Sequence, residues 1–249
     1  MTSASYSSAA VEPFEGLRIR GVAKTFGTDT TVLNEIDLDV HPGELISLVG
    51  SSGTGKSTLL RIIAGLEEPS AGRVTYAGQP LERGSVGVVF QRPILYPHLS
   101  VKDNILFPTR LGAFAGRVDM DYYRELLEAL KLEGLESRKP SQLSGGQAQR
   151  VAIARSQVNG APVTFADEPT GALDSKTARE VMALLLTMIP QQGKTLLVVT
   201  HDPNVAAACS RVVYLQDGQI VSDQRNNQGG VPASQNHAQS FGAQSQAGA

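Results

Sequence analysis

Cysteine is almost missing from this chain. Its 249 residues hold one, Cys209, so no disulfide can close within the chain and no cysteine-based zinc cluster can form. A reducing compartment fits that composition, and Cys209 itself reads as a small buried residue on a helix. Excess charge is missing too. Lys and Arg number 22 against 24 Asp and Glu, a net charge of -2, which gives no electrostatic case for a nucleic-acid partner. No stretch approaches the roughly 20 apolar residues that a membrane span needs, so any work at a membrane requires a partner to supply the spans. The opening MTSASYSSAAVEPFEG has neither a basic start nor an apolar core and does not read as a secretory signal.

What is present suits one α/β domain. The composition is 41% hydrophobic, enough for a sizeable core. Residues 1–16 are polar and small, and residues 223–249 are rich in Gln, Ala, Ser, Gly and Asn. Both are expected to be disordered tails, with too few large apolar side chains to offset the entropy of ordering. The domain is expected over 17–222. Within it the runs LRIRGV, TVLNEIDLDV, ELISLVG, GRVTYAGQ, SVGVVF, PVTFAD and KTLLVVT read as strands. SRVVYLQDGQIVS reads as a hairpin turning at Asp217-Gly218. From Ser175 to Ile189, Ala178, Val181, Met182, Leu185 and Ile189 recur at spacings of three and four, a helix with one apolar face. Alternating strands and helices predict a parallel sheet. About 92–156 interrupts the alternation with helical patterns and no clear strand, which reads as a helical insertion.

One loop cannot be explained by burial. GSSGTGKST, from Gly50 to Thr58, follows a strand-like run and precedes an apolar helical run, and it fits the phosphate-binding pattern G-x-x-x-x-G-K-[ST]. Gly50, Gly53 and Gly55 allow backbone N–H groups to converge on one concavity, and the helix start adds its positive dipole end. Lys56 can reach phosphates and Ser57 can ligate Mg²⁺. With Ser51, Ser52, Thr54 and Thr58, these residues form the expected nucleotide-binding set. PVTFADEPT supplies two carboxylates at a strand end, where open α/β sheets bind ligands. Asp167 is placed to orient the metal, and Glu168 to act as base or water-orienting group. QLSGGQAQR brings a second glycine-rich helix start. Ser144 caps it, and Gly145 and Gly146 make sense if a phosphate approaches the backbone there.

LSGGQ, together with GSSGTGKST and ADEPTGALDS, resembles the nucleotide-binding subunit of ATP-binding cassette (ABC) transporters, with the likeness running from about Leu17 to Val221. The resemblance implies a P-loop NTPase core with a mainly parallel sheet, an N-terminal antiparallel β subdomain and an inserted helical subdomain. It implies an ATPase that takes ATP and Mg²⁺ and forms a head-to-tail homodimer, in which Ser144, Gly145, Gly146 and Gln147 of one subunit close over ATP held by the other. By the same resemblance Gln91 contacts Mg²⁺ and water, and His201 the γ-phosphate. Asp174 communicates across the dimer, and Phe26 stacks on adenine.

ADEPTGALDS and the segment from Val198 to Val221 resemble the lipoprotein-releasing and macrolide-export branch, whereas LYPHLSVKDNILFP is closer to solute importers. A regulatory cassette, as in cell division, stays open as an alternative. The resemblance further implies a transmembrane permease docking near Gln91–Val101, where Ile94, Leu95, Tyr96 and Leu99 sit in a loop-like stretch. The subunit would then lie peripherally on the cytoplasmic face of the cell membrane.

Overall fold

The computed structural model describes residues 14–81, 84–111 and 118–226. Of the two expected tails, 1–13 and 227–249 fall outside the described residues. Strands β1 (Leu17–Phe26), β2 (Thr30–Val40), β4 (Ala71–Tyr76) and β5 (Gln79–Pro80) form an antiparallel sheet in the order β2-β1-β4-β5. The run GRVTYAGQ is therefore not one strand. It turns at Ala77 and Gly78, both at positive φ, and the returning β5 ends on a proline at the sheet edge, where a missing N–H costs no ladder bond.

The second sheet has the order β10-β9-β3-β8-β7-β6. In it β6 (Gly87–Val89), β7 (Val163–Asp167), β8 (Thr195–Val199), β3 (Leu45–Val49) and β9 (Arg211–Gln216) run parallel, and β10 (Gln219–Arg225) returns antiparallel to β9. Its strands carry near-continuous apolar runs because both faces are covered. On β8, Leu197 and Val199 enter one core while Leu196 and Val198 enter the other. The first core lies between this sheet, the antiparallel sheet and helix α1 (Lys56–Ile63), around Phe165, Leu59 and Ile63. The second gathers α2 (Val101–Leu106), α3 (Met120–Ala129), α4 (Gly145–Gln157), α5 (Ser175–Gln191) and α6 (Pro203–Ala208), through Ile105, Leu126, Ile153, Leu185 and Val205. Between β6 and β7 the described residues form no strand.

Three details differ from the sequence reading. Strand β10 continues to Arg225, past the boundary expected at 222, because the Asp223 carboxylate accepts two hydrogen bonds from Arg211, at 2.7 and 2.6 Å. Helix α5 runs two residues beyond Ile189, with Pro190 in its last turn. Cys209 is buried but lies one residue past α6.

Candidate active site

The C-terminal ends of β3, β7 and β8 deliver Gly50, Glu168 and His201 to one edge of the sheet. Gly50 is fixed there by close approach, since a Cβ would come 2.3 Å from the Leu215 carbonyl oxygen. Gly55 ends the loop at φ 97° as the N-cap of α1, a conformation that disfavours a side chain, and a Cβ there would meet Leu33 at 2.7 Å. These constraints wrap the loop into one wall of a cavity of about 490 Å³, lined by residues 50–53 and 55–58, Glu168, His201 and Val32. That volume suits a small ligand. Val32 was not legible as a lining residue, because in the sequence it is only one more apolar position of a strand.

Lys56 is buried, and its ammonium donates to the carbonyls of Gly50 at 2.8 Å and Ser51 at 2.6 Å. Thr54 turns inward, its hydroxyl donating to the Ser51 carbonyl. The Ser57 hydroxyl donates to Asp167 Oδ1 at 3.1 Å, so two residues 110 positions apart share one corner. Burial pushes the Asp167 carboxyl up, and the Ser57 hydrogen bond pulls it back. The Glu168 charge raises it further, while Arg61 and Lys56 lower it. The hydroxyl and carboxylate oxygens are hard donors of the kind Mg²⁺ takes. They are too few to cage it alone, which fits an ion completed by phosphate and water.

Glu168 sits at φ 44°, a strained position for a side chain, costing on the order of 1–3 kcal/mol. Its N–H donates to the Val199 carbonyl at 3.0 Å, which pins the turn after β7 to the end of β8. Its carboxylate then lies 3.5 Å from Nδ1 of the exposed His201.

The remaining expected residues lie outside the cavity lining. Phe26 ends β1, 44% exposed, with the Lys24 ammonium 4.9 Å from its ring centroid. Gln91 rests against Gly171, where a Cβ would come 2.6 Å from its amide nitrogen. Asp174 caps α5, accepting from the N–H groups of Lys176 and Thr177. Ser144 caps α4 in a reciprocal pair with Gln147. Gly146 has a packing reason beside the one read in the sequence. A Cβ there would meet Thr177 Cγ2 at 2.4 Å, so packing of α4 on α5 already demands glycine, whatever approaches from outside. Gly145 is exposed.

A glycine loop between β3 and α1, with a carboxylate pair after β7, defines a P-loop nucleotide hydrolase. Residues 33–171, more than half of the chain, match the family model described as ABC transporter, and the chain belongs to that family as an ATPase cassette. It is 42% identical over 247 residues to the macrolide export ATP-binding/permease protein MacB of Chromobacterium violaceum, covering 94% of this chain and 37% of that protein. The chain thus spans a little over a third of that relative's length, and the likeness agrees with the macrolide-export branch read from ADEPTGALDS. Among solved structures it resembles the dimeric structure of MJ0796, a bacterial ABC transporter cassette, with 38% identity and a TM-score of 0.72. That match covers 84% of this chain and 98% of the cassette. A dimeric post-hydrolysis state of MJ0796 bound to ADP and Pi matches with 37% identity and a TM-score of 0.70 over the same shares.

Proposed function

We propose that the cassette hydrolyses ATP at a site shared between two copies and couples that cycle to a membrane permease of the export type, on the cytoplasmic face of the membrane. The observation that carries this is the meeting of Ser57, Asp167, Glu168 and His201 around the Gly50–Thr58 loop. The second capped glycine helix start, at Ser144, lies outside that cavity.

In this reading Lys56 exchanges its loop carbonyls for the β- and γ-phosphates, while Ser57, Asp167 and Gln91 hold Mg²⁺ directly or through water. When bound, the ion neutralises charge on those phosphates. Glu168 takes or orients the proton of the attacking water, and His201, within reach of Glu168, contacts the γ-phosphate. Phe26 shares its ring face between Lys24 and adenine. Ser144 to Gln147 of the second copy cover the phosphates from the start of α4, and Asp174 lies beside them across the interface. A C2 dimer then has two such sites, each built from both chains. The permease docks on the loop from Gln91 to Val101, where Ile94 is 62% exposed.

The test is Glu168→Gln. It keeps the shape and removes the base, so hydrolysis should fall about 10²–10⁴-fold while ATP-dependent dimerisation, read by gel filtration, persists. Near-normal turnover would refute the assignment.

A further inference from the structure

The segment that follows Gln91 has no regular secondary structure, yet helices hold its backbone. The Gln149 amide donates to the Phe90 carbonyl at 2.8 Å, and the Arg155 guanidinium donates to the Ile94 carbonyl at 2.6 Å. Both come from α4, the helix that Ser144 caps. Gln149 is fully buried, and its Oε1 has no partner, so its one hydrogen bond is spent on Phe90. Arg155 is half-buried, makes no ion pair among the described residues, and donates to that carbonyl. Asn104, fully buried on α2, continues the restraint: its Oδ1 accepts from the Tyr96 N–H and its amide donates to the Tyr96 and Leu99 carbonyls. A segment that only connected elements would not need a buried amide at the Phe90 carbonyl and a half-buried guanidinium at the Ile94 carbonyl.

We propose that Gln149 and Arg155 are positioning residues for ATP hydrolysis, clamping Phe90 and Ile94 to α4 so that Gln91 and Ser144 are placed by one rigid helix. This rests on the role given above to Gln91. The clamp sets where the Gln91 side chain meets the Glu168–Gly171 turn. It also makes the loop that faces the permease continuous with the helix whose cap faces the second copy. A shift of the loop then cannot occur without a shift of Ser144.

The experiment uses the whole chain. Arg155→Met removes the guanidinium and keeps much of the volume. Turnover should fall between about 10- and 100-fold, the cost of a displaced group, with the affinity for a fluorescent ATP analogue unchanged. Arg155→Lys, which retains a charged donor, should recover part of the rate. If Arg155 acts through Gln91, the double variant Gln91→Ala/Arg155→Met should be no slower than Gln91→Ala alone; multiplying losses would overturn the proposal. A second readout needs no activity. Cys209 is buried and its thiol is pushed up to about 12 by burial, so it stays unreactive. A thiol-directed fluorophore on Arg92→Cys then reports the loop alone. Its anisotropy should drop when Arg155→Met is added, and an unchanged value would overturn the clamp. Should Arg155→Met fail to fold, Gln149→Met removes the other tie and is read in the same way. A normal rate in Gln91→Ala would refute the role of Gln91 and leave the clamp to be decided by anisotropy.

Discussion

Replacing Gly146 with alanine sets two effects of known sign against each other. Alanine within a helix is favoured over glycine by about 1 kcal/mol, so propensity alone says that the variant gains stability. The packing says otherwise. The added Cβ would lie 2.4 Å from Thr177 Cγ2, well inside contact distance. Thr177 is β-branched and sits in the first turn of α5, its N–H held by Asp174, so the methyl has little freedom to swing away. Overpacking of this kind costs about 1–3 kcal/mol, and α4 must move off α5 at the turn that Ser144 caps. The expected net is a loss of up to about 2 kcal/mol, a fall in Tm of several degrees for a chain of this size. Urea or thermal denaturation of the nucleotide-free monomer measures it. Thr177→Ser deletes the offending methyl and keeps the hydroxyl, so adding it to Gly146→Ala should restore stability. The same pair of variants separates the two reasons for a glycine here. If packing is the whole reason, the double variant also regains ATPase activity. If a phosphate must come close as well, it regains stability and stays slow. A Gly146→Ala protein as stable as the parent would refute the packing argument.

Lys56→Ala removes a charge and the donor to two carbonyls of its own loop; at about 1.5–3 kcal/mol for a bond to a charged group, affinity for a fluorescent ATP analogue should drop at least tenfold, and unchanged affinity would contradict the assignment. Ile94→Asp should leave the thermal stability of the isolated cassette intact and abolish co-purification with its permease, whereas Tyr96→Asp should also destabilise it, because the Tyr96 ring packs 4.3 Å from that of Phe107; retained co-purification by Ile94→Asp would remove the docking surface. Burial pulls the Lys194 ammonium down to about 8, below its unfolded value, so the unfolded chain binds the extra proton between about pH 8 and 10 and stability there should rise with pH. Lys194→Met should lack that rise, and parallel curves for the two proteins would refute it. The Tyr122 hydroxyl that accepts from Lys194 is pushed up to about 12 by burial, so it opposes the rise only towards pH 10, where the unfolded tyrosine begins to ionise, and it does so equally in both proteins.

Legibility in the sequence followed the range over which each signal acts. Glycine at a turn is a local signal, so the hairpin at Asp217-Gly218 was readable and both residues stand at positive φ. The same kind of signal at Ala77-Gly78 was overridden by its apolar neighbours, which made two strands look like one. The phosphate loop was legible because its chemistry forbids the residues a core would use. Ser57 and Asp167 were assigned to one metal from the loop pattern and a strand-end carboxylate, and their hydrogen bond across 110 positions is a tertiary fact.

Side chains whose work is tertiary left no such trace. Gln149 and Arg155 read as ordinary polar positions of the α4 run, since nothing in GGQAQRVAIARSQV says which carbonyl a buried amide will find. The polar pattern is no guide here: α4 is buried on most sides, so its polar residues do not mark a solvent face, as they would on an amphipathic helix. A buried polar residue must be hydrogen-bonded or costly. Once a helix is known to be buried all round, each polar residue on it therefore points to a partner elsewhere. Gly146 makes the complementary point. Two adjacent glycines at a helix start invited a ligand-based reason, while the neighbour that requires the second of them is a threonine methyl 31 residues further along the chain. A glycine shows that something comes close; only the fold shows what.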